Sequence, residues 1–281
     1  MSVQEKERPN KRKVAEPDEE IGEEKLLEQE EVEEETEELN LTRVELSELE
    51  RAILDIAEEI LKLKRYEAKL EVDREETLAP LADKLFATCI ARLTHAKGYS
   101  KSEIFLTLKE LEQKNWIVTG QRRTRQEILE SEIMQGILQL IEDSPGIHAR
   151  DPIIQERLGI TRNPFTKHVV TLASFNLIRI EKLGKTQNYF PLSSPVELDE
   201  LFVVLQNDLC FQMVQMLAET PGVGVLDLAR ELGVFHGAIQ YHVKKLKSLG
   251  LLNENLQVNV ELAQQYNQYA KIRQLNLANL V

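Results

Sequence analysis

Apolar residues recur three and four apart along most of this chain, and the clearest stretch of that pattern is written twice. In 233–252, Ile239, Val243, Leu246 and Leu249 fall on one stripe of a helix. The block 159–178 aligns on it without a gap, with Gly, His, Val, Leu, Ser and Leu at equivalent places in both. Each copy follows a Pro-Gly pair (Pro145-Gly146, Pro221-Gly222) and a short apolar helix that ends at a glycine. This order predicts a helix, a tight turn, a second helix and then an apolar start to a strand.

The two copies differ after their second helices. In the earlier copy Ile178-Arg179-Ile180 alternates, Leu183-Gly184 turns and Asn188-Tyr189-Phe190 returns, which predicts a β-hairpin wing with Arg179, Lys182 and Lys185 at or near its tip. Ahead of it Ile153, Ile154 and Leu158 supply the first helix of the motif, Thr161 caps the second, and Pro164 sits near its start, where a missing N–H costs little. In the later copy Asn253-Glu254-Asn255 turns and Gln257-Val258-Asn259-Val260 returns with no Lys or Arg, so this wing is cut down. A third, diverged copy is read upstream. Ser100 and Glu103 form a capping box, and Ile104, Leu108, Leu111 and Asn115-Trp116-Ile117-Val118 repeat the spacing of Phe165, Val169, Leu172 and Asn176-Leu177-Ile178. Arg122, Arg123 and Arg125 stand where its wing is expected.

The remaining pattern is helical. Thr42-x-x-Glu45 reads as a capping box opening a helix with a seam of Leu46, Leu49, Ile53, Ile56, Ile60 and Leu63. Residues 78–93 read as a further helix, 125–143 as one long amphipathic helix joining the first unit to the second, and 205–217 as the opening helix of the last unit. A C-terminal helix comes last, with Leu262, Tyr266, Tyr269, Ile272 and Leu280. The expected fold class is mainly α with small β-hairpin wings: tandem winged helix-turn-helix domains behind an acidic disordered N-terminal tail. The expected divisions are a tail at 1–40, a helical region with a diverged unit at 41–130, winged units at 131–195 and 196–260, and a final helix at 261–281. The helices at 43–66 and 262–280 can pack on their own units or pair two subunits into a homodimer.

Aromatics at 5% and charged residues at 30% suit small helical domains. The net charge of -13 argues at first against nucleic acid, but residues 1–40 hold 16 Asp and Glu against 6 Lys and Arg. In 159–190 there are 5 basic residues and 1 acidic, and 233–252 has 3 basic and none acidic, so the acidity belongs to the tail. Lys11-Arg12-Lys13 reads as part of that solvated tail. Cys89 and Cys210 sit in apolar helical patterns and are read as buried thiols, with a cytoplasmic location. No metal-ligand spacing, cofactor motif, signal segment or membrane-length apolar run is found, and no Gly-rich phosphate loop, paired carboxylates or nucleophile elbow points to an enzyme.

Outward-facing amides, hydroxyls, rings and cations on a helix of this kind can bond base edges and neutralise phosphates of double-stranded DNA. The candidates are Arg162, Asn163, Thr166 and Lys167 on the second helix of the earlier copy and Arg179, Lys182 and Lys185 on its wing. In the later copy they are His236, Gln240, Tyr241, Lys244 and Lys245, with Lys247 also facing out. His168 and His242 occupy one equivalent place, which points to packing within the motif.

Residues 133–252 resemble archaeal transcriptional regulators with two winged helix-turn-helix domains. The resemblance lies in Pro145-Gly146-Ile147-His148-x-Arg150, Leu158-Gly159-Ile160-Thr161, His168-Val169-x-x-Leu172 and Tyr189-Phe190-Pro191. It continues through Leu228-Ala229-x-x-Leu232-Gly233, Tyr241-His242-Val243-x-x-Leu246 and Leu249-Gly250-Leu251, which also resemble ArsR-type winged helices. The resemblance implies a DNA-binding transcriptional regulator. It implies no metal sensing, since the Cys and His clusters of the metal-responsive ArsR proteins are missing here. Tandem winged helices with little basic surface also resemble ESCRT-II subunits, which implies a protein scaffold as the alternative.

Overall fold

The computed structural model describes residues 46–69, 81–118 and 120–279, so the acidic tail expected at 1–40 lies outside the described residues. Helix α1 (Glu48–Lys69) starts later than expected. Leu46 and Ser47 are not helical, and Thr42 and Glu45 lie outside the described residues. The cap is instead reciprocal between Ser47 and Glu50: the Ser47 N–H donates to Glu50 Oε2 at 2.8 Å and the Glu50 N–H to Ser47 Oγ at 3.2 Å. Ile53, Ile56 and Ile60 of the expected seam are buried, but so are Leu54, Ala57 and Leu61, while Leu63 is exposed. That wider stripe packs on α2 (Leu81–Cys89) and α3 (Lys101–Gln113), within the same chain. From α2 the chain passes through a π turn (Ile90–Thr94) and a last α turn (His95–Lys97), and α3 carries the expected Ser100–Glu103 capping box.

No strand forms among the described residues of 92–125, against the expected wing. Trp116 and Ile117 turn inward, and the Arg125 guanidinium lies 5.7 Å from the Trp116 ring. The same group donates to the Lys114 carbonyl at 3.4 Å and the Phe175 carbonyl at 3.1 Å, so this arginine ties two copies together. The single helix expected over 125–143 is two, α4 (Arg125–Leu129) and α5 (Glu132–Asp143). On a straight helix Ile128 and Met134, six residues apart, would stand about 120° apart. The break at Glu130-Ser131 turns both into one core, and Gln135 Nε2 donates to the Leu129 carbonyl across it at 2.6 Å.

Next along the chain are strand β1 (Ile147–His148), helices α6 (Ile153–Leu158) and α7 (Arg162–Ser174), and strands β2 (Ile178–Leu183) and β3 (Thr186–Pro191). The strands form an antiparallel sheet in the order β1-β3-β2, with Leu183 opposite Thr186 across Gly184-Lys185. Alternation along β3 sends Tyr189 into the core beneath α5 and α7 and its neighbour Phe190 into the next core. That second core is built from α8 (Asp199–Leu205), α9 (Asp208–Glu219), α10 (Val225–Glu231), α11 (His236–Ser248) and α12 (Val260–Tyr269). Between α11 and α12 the return makes a single bridge, Leu252 with Val258. The last helix ends at Tyr269, short of the expected span; Ile272 then packs into the earlier core and its N–H donates to the Asp143 carbonyl at 3.0 Å. Leu280 lies outside the described residues.

The repeat is visible as backbone geometry. Gly98, Gly159 and Gly233 hold φ of 75°, 65° and 64°, a left-handed turn that glycine adopts without strain. Two residues on stand extended N-caps, Ser100, Thr161 and Phe235, each opening a helix of 13 residues. Asn115, Asn176 and Gly250 then end α3, α7 and α11 in the left-handed region. The next N–H, of Trp116, Leu177 and Leu251, returns to the carbonyl of Leu111, Leu172 and Leu246 at 2.8, 3.1 and 3.1 Å. The first copy therefore shares the helix pair and its cap, but not the hairpin.

Candidate nucleic-acid interface

Helix α7 turns Phe165, Val169 and Leu172 into the core, which leaves Arg162, Asn163 and Lys167 exposed. Thr161 is the N-cap, yet its hydroxyl makes no capping bond. Thr166 is half-buried and its hydroxyl donates to the Arg162 carbonyl at 2.9 Å, so its oxygen keeps only an accepting role toward a ligand. Lys182 and Lys185 are exposed at the far end of the hairpin. None of Arg162, Lys167, Lys182 and Lys185 pairs with a carboxylate among the described residues.

Arg179 does not belong with them. It sits near the base of β2, where its two terminal nitrogens grip Asp199 of α8 at 2.7 and 3.0 Å, and it also donates to Ser194. Its guanidinium lies 5.3 Å from the Phe190 ring. The inward side of β2 meets α8 there, so this position fastens the hairpin to the next unit. Further joints lie beside it. Gln206 Nε2 donates to Ser144 Oγ and the Pro145 carbonyl at 2.9 and 3.0 Å. Gly146 approaches Phe202 so closely that a Cβ would lie 3.0 Å from Phe202 Cβ.

On α11 His236, Gln240, Tyr241, Lys244 and Lys245 are all exposed. Lys247, read as facing out, is instead half-buried and bound to the Glu254 carboxylate at 2.8 Å, held there by the shortened return after α11. His242 is a packing residue: its Nδ1 stands 2.9 Å from Cys210 Sγ. Burial, with a smaller contribution from Lys245, lowers its pKa, and burial pushes the Cys210 thiol up to about 11, so a protonated thiol faces a neutral imidazole. His168 is lowered in the same way, by burial first and then by the nearby charge of Arg123. Arg123 is exposed and lines a polar groove with Glu58, Lys62, Arg65 and Glu127, while the Arg122 carbonyl accepts from Arg65.

Two positions depart from the repeat in ways that helical periodicity does not signal. Where α7 presents Thr166 and Lys167 and α11 presents Gln240 and Tyr241, α3 presents Phe105 and Leu106, which are 46% and 60% exposed. Where α3 and α7 begin on Ser100 and Thr161, α11 begins on Phe235. Both are legible once the three copies are aligned position by position, because the signal is a departure from the other copies.

Among the described residues no group of three or more His, Cys, Asp or Glu side chains is placed to hold a metal ion, and no single helix is long and apolar enough to cross a membrane. Comparison of the chain with family models, with curated proteins and with solved structures gives no match.

Proposed function

We propose that this protein binds double-stranded DNA as a sequence-specific transcriptional regulator, through tandem winged helix-turn-helix domains. One observation carries the reading: α7 and the hairpin tip together expose Arg162, Lys167, Lys182 and Lys185, none joined to a carboxylate among the described residues. Cations held out at a helix start and a hairpin tip suit a groove and its flanking phosphates, with the hairpin positioning and the helix reading. Asn163 and Gln240 supply amides, which pair with adenine in a major groove. Lys244 and Lys245 add phosphate contacts from α11. Arg179 has no part in this surface, since its donors are engaged by Asp199 and Ser194. The test is fluorescence anisotropy with a random-sequence duplex. The wild-type chain binds, and replacing Arg162, Lys167, Lys182 and Lys185 together by Ala strongly weakens binding while leaving the urea midpoint within experimental error. Equal binding by both proteins refutes the assignment.

A protein scaffold is the second reading, favoured by a specific place. Phe105 and Leu106 stand exposed on the first copy where its sister copies carry Thr166 with Lys167 and Gln240 with Tyr241. On this reading the tandem winged helices meet protein partners in place of DNA. The proposal keeps a homodimer through the 43–66 or 262–280 helix: Leu63 and Tyr66 of α1 stand exposed beyond the stripe that the chain itself covers.

A further inference from the structure

The N-terminus of α11 carries a residue that neither capping nor core packing explains. Ser, Thr, Asp or Asn at an N-cap is worth about 1 kcal/mol over an apolar residue. Ser100 stands at this place in the first copy and Thr161 in the second. Phe235 makes no capping bond, and it is 74% exposed.

Its ring is nonetheless seated. It lies 4.3 Å from the His236 ring, and its Cε1 stands 2.7 Å from where a Cβ on residue 237 would be. Only the glycine at 237 leaves room for the ring in this position, although glycine is a poor helix former. Gly237 shares a helix face with Gln240, Tyr241 and Lys244 at three, four and seven residues on. The Phe235 ring and the Tyr241 ring, itself 67% exposed, therefore stand on one face. Position 237, against which the Phe235 ring lies, and Tyr241 are four residues apart, about 6 Å along the helix axis. Lys244 and Lys245 lie at the next turn, and 233–252 contains no acidic residue.

Exposed rings followed by cations, on a stretch of chain without acidic residues, make a surface for unpaired bases: each base has a π face to lay on a ring, and the ammonium groups meet the phosphates. An apolar protein partner would need the rings without the one-sign charge. We propose that this face of α11 binds single-stranded DNA, with one base stacked on Phe235, a second on Tyr241, and the phosphates of the strand beyond Tyr241 held by Lys244 and Lys245. The proposal extends the nucleic-acid reading to a second class of ligand and does not need α7 or the hairpin.

The test uses the full chain and fluorescence anisotropy with labelled oligothymidylate, which has no stable pairing, beside a random duplex. The wild type binds the strand, and Phe235→Ala and Tyr241→Ala each weaken that binding roughly 5- to 100-fold, the range for removing one base-stacking ring. Phe235→Trp keeps a π face and retains binding. Gly237→Ala forces the Phe235 ring away and weakens strand binding as Phe235→Ala does, with a urea midpoint equal to or above wild type, because alanine favours the helix. Duplex binding is unchanged in Phe235→Ala, a residue outside the duplex contacts. No binding of oligothymidylate, or strand binding indifferent to Phe235→Ala and Tyr241→Ala, overturns the proposal. So does full retention by Phe235→Leu, which marks an apolar contact instead of stacking. Strand binding in a chain that ignores duplex refutes only the regulator reading; duplex binding without strand binding refutes only this one.

Discussion

At the scale of single residues the structure separates charges that look alike in sequence. Arg179 and Lys182 are three residues apart on one strand, yet the first is locked to Asp199 and the second is exposed. Asp199 is buried, so Arg179→Ala strands its carboxylate, and urea unfolding should show a loss on the order of 3–5 kcal/mol. Replacing both partners, as Arg179→Met with Asp199→Leu, should recover most of it; an unaltered midpoint in the single variant contradicts the assigned role. The paired histidines make a second prediction. His168 and His242 have lowered pKa values in the fold, chiefly from burial, so the folded chain binds fewer protons than the unfolded one. The stability they contribute is complete above the ordinary imidazole value of about 6.5 and is lost as pH falls below it through the depressed folded values. The urea midpoint should therefore be lower at about pH 5.5 than at about pH 7.5, and the gap should shrink in His242→Gln. A gap of the same size in the variant removes His242 from this account.

Elements were legible where local pattern and tertiary packing agree. The hairpin of β2 and β3, the Ser100 cap and the buried stripes of α7 and α11 arise from alternation, capping chemistry and three-four spacing, all readable over a few residues. Elements were misread where a distant partner decides. The helix over 125–143 breaks because Ile128 and Met134 must enter one core, and the expected first wing is replaced by Arg125 lying on Trp116 and bonding Phe175, 50 residues away. Of the candidate site, the cations of α7, the hairpin tip and α11 stand exposed where helical and strand spacing put them, with two exceptions: Lys247, whose partner Glu254 comes from the shortened return, and Arg179, which is held by Asp199 of the next unit. The hairpin itself supports a test. Lys182→Ala with Lys185→Ala should weaken binding to all duplex sequences about equally and lower the salt slope by up to about two, since a hairpin tip meets phosphates. Binding curves on matched and mismatched duplexes check it, and a change in sequence preference instead assigns base reading to the hairpin.

For the whole molecule the charge is divided by position. Residues 1–40 carry 16 acidic and 6 basic residues, whereas the exposed faces of α7 and α11 are basic. A chain lacking 1–40 should bind random duplex more tightly than the full chain at low salt and alike once ionic strength exceeds about 0.15 M, where fields fade within about 8 Å. Equal affinity at low salt denies the acidic residues any such effect. The second and third copies, joined through β3, Gln206 and Arg179, share their packing and present these faces from one folded body. The most direct test of DNA binding is the salt dependence of the full chain on a random duplex. Four to six phosphates neutralised by Arg162, Lys167, Lys182, Lys185, Lys244 and Lys245 give a log–log slope of about -4 to -5 at about 0.9 per phosphate. A slope near zero, or no binding at low salt, contradicts the account and favours the scaffold reading.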